Sequence, residues 1–156
     1  MKKIILTALL LLVAVLSFTQ NQALIDSLKH QLDHERQDTN RVAIMLKLEQ
    51  AFAYNSKPDS AKAIAEKALD LATKVHYPNG KFEALVILAS HHRLIGDSPK
   101  SLFYAFKGLR LSEEMRDHSK KARILFQLTR IYFLGLNDYQ KAKSFCKRYI
   151  SSLSYR

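Results

Sequence analysis

The side chains in this sequence best suited to chemistry are six histidines and one cysteine. His30 and His34 stand four apart with Asp33 between them. On a helix that spacing puts both imidazoles on one face, where they could share a metal ion. The zinc-protease arrangement also needs a glutamate directly after the first histidine, and a third ligand. Gln31 follows His30, so the pair reads as the polar face of a short helix. His91 and His92 are adjacent and point to different faces. His92 falls at an aromatic packing position and reads as core. Cys146 falls at a packing position too, and a single cysteine excludes an internal disulfide. It reads as a small apolar filler. No Gly-rich phosphate loop, Ser-His-Asp arrangement or paired-carboxylate cleft is present. The expectation is a chain that is not an enzyme and that takes no cofactor and no metal. The alternative of another class is a helical metal-binding protein using His30, His34 and His91.

With 156 residues, one domain is expected. Lys2 and Lys3 precede an apolar run from Ile4 to Phe18, and the small residues Ser17 and Thr19 stand before Gln20. That order reads as a secretory signal peptide over residues 1–19. The run is short for a membrane span, which needs about 20 apolar residues. The chain is therefore expected to be exported to the periplasm, with no membrane span after signal cleavage. The formal charge of +11 drops to +9 without Lys2 and Lys3. A basic balance points to nucleic acid or an anionic surface. Export argues against nucleic acid, and no block of five or six basic residues occurs, so the charge reads as a solvated surface spread along the chain.

The elements that must position any site are helices. In residues 20–39, Leu24, Leu28 and Leu32 mark one helix face. Asp38 and Thr39 are N-cap candidates for the next helix. Pro58 ends that helix, and Asp59 can cap the one after it. Pro78 and Gly80 break the chain again. Pro99 sits in a first turn, where its missing N–H costs nothing. No stretch reads as a strand.

The helices recur in pairs. Leu48, Leu88 and Leu128 are separated by 40 and 40, as are Phe52, His92 and Tyr132. Ala61 and Ser101 are 40 apart, and Ala142 lies 41 further on. One extra residue in "GLND" accounts for the slip. A fixed period in this range means a stacked array, in which neighbouring pairs bury a continuous core.

These pairs resemble tetratricopeptide (TPR) repeats. The first shows Met45, Leu48, Phe52, Pro58, Asp59, Ala61, Ala65 and Ala68. The second shows Leu85, Leu88, Ala89, His92, Gly96, Asp97, Ser101 and Gly108. The third shows Leu125, Leu128, Thr129, Tyr132, Ala142 and Cys146. His92 departs from the usual aromatic and Tyr149 from the usual small residue. The period of 40, rather than the usual 34, implies longer helices. The expected fold is all-α: a right-handed superhelical stack of three antiparallel helix pairs (40–79, 80–117 and 118–156) plus the leading helix. The signal followed by "DSLKHQLDHERQDTNRV" and "KPDSAKAIAEKALDLATKV" looks like the N-terminal periplasmic region of Bacteroidetes-type TPR sensor histidine kinases.

The resemblance implies a protein-binding scaffold or adaptor whose concave groove, lined by the first helix of each pair, holds a peptide. By register the groove residues are Leu46, Gln50 and Ala53, then Glu83, Val86, Ser90 and Arg93, then Arg123, Phe126, Arg130 and Phe133. Three arginines beside two phenylalanines point to an acidic peptide or a C-terminal carboxylate. The alternative reading is the sensory fragment of a truncated TPR sensor histidine kinase or transcription regulator. Phe145, Tyr149 and Ile150 have no following pair to cover them, which suggests self-association through the last helix.

Overall fold

In the computed structural model, residues 22–153 are described. The expected signal peptide and the last three residues lie outside them. The described residues form helices joined by turns, with no strand among them. Helix α1 covers 22–34. It is followed by α2 (Asp38–Tyr54), α3 (Pro58–Lys74), α4 (Pro78–Leu94), α5 (Ser98–Glu114), α6 (His118–Arg130) and α7 (Tyr139–Leu153). A π-helical turn, Ile131–Gly135, continues α6.

Helices α2 to α5 each run for 17 residues and are joined by three-residue turns. At each turn one residue takes a positive φ: Ser56, His76, Gly96 and Arg116, spaced 20 apart. The backbone closes each turn in the same way. The Asp97 N–H donates to His92 O at 2.8 Å and the Gly96 N–H to Arg93 O at 3.1 Å, the paired bonds of a Schellman ending. Tyr77 to Ala72, Lys57 to Phe52 and Asp117 to Ser112 repeat the longer bond. The 40-residue period is therefore two equal helix-plus-turn units. The extra residue lies inside the helix and not in "GLND". A π turn accommodates one more residue by bonding i to i+5, so the next positive-φ residue is Asn137. The closing bond widens accordingly, running from Asp138 N–H to Tyr132 O at 2.9 Å.

Capping differs from the expectation in part. Asp97, Asp117 and Asp138 accept from the backbone N–H of Lys100, Lys120 and Lys141 at 3.2, 2.9 and 3.0 Å. Each cap satisfies one of the N–H groups that a helix start leaves without an intrahelical partner. Asp59 and Asp38 do not cap; they lie in the first turns of α3 and α2, where Lys57 and Gln37 hold the cap positions without a side-chain bond. Proline occupies the first turn of α3, α4 and α5. Pro58 and Pro78 thus start helices as well as separating them. Gly80 is not a breaker either. It lies buried in the first turn of α4, where a Cβ would fall 2.6 Å from both Val42 Cγ1 and Tyr77 Cδ1.

Within the stack α2 touches α4 and α4 touches α6, whereas α3, α5 and α7 make no comparable contact with one another. The first helices of the pairs therefore form the inner wall. The small positions sit where helices meet: Ala61, Ser101 and Ala142 are all buried, and Ser101 Oγ donates to Ala89 O at 2.7 Å. The main core joins Phe82, Val86, Leu109, Ile124, Leu125, Leu128 and Ile131. Burying each such side chain contributes roughly 1.5–3 kcal/mol. Helix α1 closes the N-terminal end by packing Ile25 and Leu28 against Leu48 and Ala51. Its apolar face runs through Ile25, which is fully buried, and not through Leu24, which is 50 % exposed.

Candidate functional site

Two clefts lie on the inner wall. One, of about 330 Å³, is lined by Leu46, Lys47, Glu49, Gln50, Glu83, Ile87 and Arg123. The other, of about 600 Å³, is bounded by Glu49 and Ala53 of α2, by Val86, Ile87, Ser90, His91 and Leu94 of α4, and by Arg123 and Gln127 of α6. They share Glu49, Ile87 and Arg123, so they form one groove across α2, α4 and α6.

Of the residues expected there, the structure brings Leu46, Gln50, Ala53, Glu83, Val86, Ser90 and Arg123 to the groove. Val86 contributes only floor, because it is 3 % exposed and belongs to the core. Phe126, one repeat on in the same column, faces the far end of the stack and touches Tyr149. Phe133 lies in the π turn against Tyr139, with ring centres 5.4 Å apart. Arg93 and Arg130 follow Ser90 and Gln127 by one turn of α4 and α6, outside the residues lining the clefts. Glu49, Ile87 and Gln127 were missed. The signal for two of them was the neighbouring register column, Lys47–Ile87–Gln127, also spaced by 40.

The three arginines do not act alike. Arg123 donates to Glu83 at 2.7 Å across consecutive pairs, so its charge is already matched. Arg93 and Arg130 have no carboxylate partner within the described residues. Burial lowers the pKa of Arg93, and the Arg130 charge lowers it further. Arg93 Nε on α4 and Gln127 Oε1 on α6 are each buried without a hydrogen-bond partner. Arg130 stacks over Phe126, 5.8 Å from the ring centre. Across the groove, burial raises the pKa of Glu49. The α2 wall thus carries Lys47 beside Glu49, and the cations without a carboxylate partner, Arg93 and Arg130, lie one turn beyond the groove lining on α4 and α6.

The histidines take separate positions. The rings of His30 and His34 stack at 4.1 Å, and His34 Nδ1 is 2.8 Å from His30 O. No group of three metal-ligating side chains comes together among the described residues. His91 lines the groove on α4, with its pKa lowered first by burial and then by the His92 and Lys62 charges. His92 is buried, as the packing register predicts. Its ring stacks on Tyr104 at 5.4 Å, and its Nδ1 lies 3.2 Å from Asp97 Oδ2. Cys146 is half-buried on α7. No described helix is long and apolar enough to cross a membrane.

No protein-family model matches this chain, and no curated protein matches it. Among solved structures, the TPR domain of Arabidopsis FLU resembles it with a TM-score of 0.69 at 22 % identity, over 77 % of this chain and all of that domain. The fold is a TPR-like stack. At that identity the likeness concerns the fold alone. Within the TPR-like stack, 17-residue helices account for the period of 40, and the inner wall is the surface that all three pairs share.

Proposed function

We propose that this chain is a non-catalytic protein-binding scaffold that holds a peptide segment along α2, α4 and α6. The observation that carries this reading is the groove itself. It has an apolar wall from Ile87 and Leu94, and one helical turn beyond its lining stand two cations without a carboxylate partner, Arg93 and Arg130, close enough for the Arg130 charge to act on Arg93. The buried and unpartnered Arg93 Nε and Gln127 Oε1 support it, since buried polar atoms are ordinarily satisfied. The ligand is a peptide with an apolar side chain for the Ile87–Leu94 wall and a carboxylate for the Arg93–Arg130 end. Arg123 adds little to an acidic ligand because Glu83 neutralises it. The scaffold acts after export, in the periplasm, as the signal-like N-terminus suggests.

A peptide array of C-terminal and internal segments, read by fluorescence anisotropy, tests the groove. Binders carrying a carboxylate should lose at least tenfold in affinity with Arg93→Glu plus Arg130→Glu. Unchanged affinity overturns the reading.

A second reading has the array as the sensory part of a signalling protein. It is favoured by the apolar face that α7 leaves exposed. An antibody against the repeats on fractionated cells separates the two. A band near this chain's mass in the periplasm supports the adaptor, and a much larger membrane band supports the sensor.

A further inference from the structure

The two ends of the stack are built differently. The N-terminal end is closed by a single amphipathic helix, α1. At the C-terminal end no described element covers α6 and α7. The register shows what an internal pair presents at this surface. Val86, Ala105, Gly108, Leu109 and Ser112 are all buried there, and Ile124 of α6 nests over Gly108. A Cβ at Gly108 would lie 3.1 Å from Ile124 Cδ1.

At the end of the stack the same five positions are Phe126, Cys146, Tyr149, Ile150 and Leu153. Every one except Ile150 is larger than its counterpart. Phe126, Ile150 and Leu153 are 46, 60 and 41 % exposed. Tyr149 stands in the Gly108 position with its ring 5.6 Å from Phe126. It fills the gap into which Ile124 fits one repeat earlier. A further pair of the same kind therefore cannot nest here as α6 nests on α5. The surface keeps the helix-receiving orientation of an internal interface but offers an aromatic ridge in place of a socket.

Its charge is equally distinctive. The expectation of charge spread along the chain does not hold when it is counted by pairs. Residues 20–79 hold eight basic and eight acidic side chains; residues 118–156 hold nine basic and one acidic. That one, Asp138, is paired with Lys141 at 3.2 Å. On α7, Lys143 and Lys147 flank Cys146 and Ile150, whereas Arg148 lies on the other side of the helix, over the Phe145 ring. Arg130 borders Phe126. None of Arg130, Lys143 and Lys147 forms an ion pair among the described residues.

From this we infer that the C-terminal end face (Phe126, Tyr149, Ile150 and Leu153, rimmed by Arg130, Lys143 and Lys147) docks an amphipathic helix of a partner protein, with acidic residues flanking its apolar stripe. The helix closes this end as α1 closes the other. Charge complementarity selects it, and like-charged rims oppose the pairing of two copies through this face. The face shares only Arg130 with the groove end, so Arg93→Glu, which alters the groove end alone, tells the failure of one reading from that of the other.

The test is a display selection of helix-patterned 18-residue peptides against the whole chain. The library has a fixed apolar stripe and flanking positions free to be Glu, Lys or Gln. Two counter-targets are used, Ile150→Asp with Leu153→Asp and Lys143→Glu with Lys147→Glu, whose sites are exposed and whose folding is checked by thermal midpoint. The expected pool is rich in Glu, loses at least tenfold in affinity with either counter-target, weakens with added salt, and keeps its affinity with Arg93→Glu. A pool without acidic bias, or one indifferent to both counter-targets, overturns the proposal. Binding of the chain to vesicles containing phosphatidylglycerol, lost with the counter-targets while no peptide is enriched, overturns it in favour of a membrane. A concentration-dependent dimer abolished by Ile150→Asp with Leu153→Asp overturns it in favour of a second copy.

Discussion

Arg123 on α6 reaches Glu83 on α4 at 2.7 Å, and the two residues occupy the same position in consecutive pairs, 40 residues apart. One register column thus supplies both partners of a bridge across the groove. Both side chains are partly exposed, so a double-mutant cycle with Glu83→Gln and Arg123→Gln should return a coupling of only about 0.2–1 kcal/mol. The coupling should shrink as salt is added. A coupling independent of salt would mean that the bridge is shielded by the groove.

The acidic groups divide by sign. The carboxyls of Asp97 and Asp138 are held below the ordinary range, chiefly by the backbone N–H groups of Lys100 and Lys141. That of Asp117 is lowered chiefly by the Lys120 side chain. A lowered folded pKa gives stability that is present above the ordinary value, about 3.9, and lost as pH falls through the folded value. Replacing all three with Asn keeps caps but removes the titration, so the thermal midpoint should become less steep in acid below about pH 4. Glu49 has the opposite sign, because burial raises its pKa. Its contribution is present below the ordinary value and lost as pH rises through the folded one. Glu49→Gln should raise the midpoint at pH 7 and leave it unchanged at pH 4.

Glycine matters here in two ways. Gly80→Ala removes a weak helix former, a gain of about 1 kcal/mol, but drives a Cβ into Val42 and Tyr77. Overpacking of this kind costs about 1–3 kcal/mol, so the midpoint should fall. Ser56, His76 and Arg116 adopt the left-handed conformation that Gly96 adopts freely. Glycine at these three positions should raise the midpoint, since the left-handed region costs other residues about 1–2 kcal/mol. Denaturant melts of the four single variants check both signs.

Leu94 and Leu134 share a register position, and both are exposed. Deleting Leu134 lets the π turn revert to α-helix and restores the 20-residue unit. Deleting Leu94 shortens a helix that has no residue to spare. The Leu134 deletion should therefore lower the midpoint by less than the Leu94 deletion. Equal losses would mean that the π turn is not where the extra residue is stored.

The sequence by itself determined the helix pairs, their period and their core. Large apolar residues at Leu48, Leu88 and Leu128, and small ones at Ala61, Ser101 and Ala142, repeat because each pair must bury the same faces. The burial of His92 was legible for the same reason. Periodicity reports which residues face inward, but it does not divide one side of a helix between two neighbours. Only the tertiary structure decided that Val86 belongs to the floor and the core while Ile87 lines the groove, that Phe126 looks out of the end of the stack, and that Arg123 is matched by Glu83. It also decided that the forty-first residue is stored in a π turn, because hydrogen-bond register along a helix leaves no mark in residue type. The sequence carries a pattern of faces; what stands opposite each face depends on how the pairs nest.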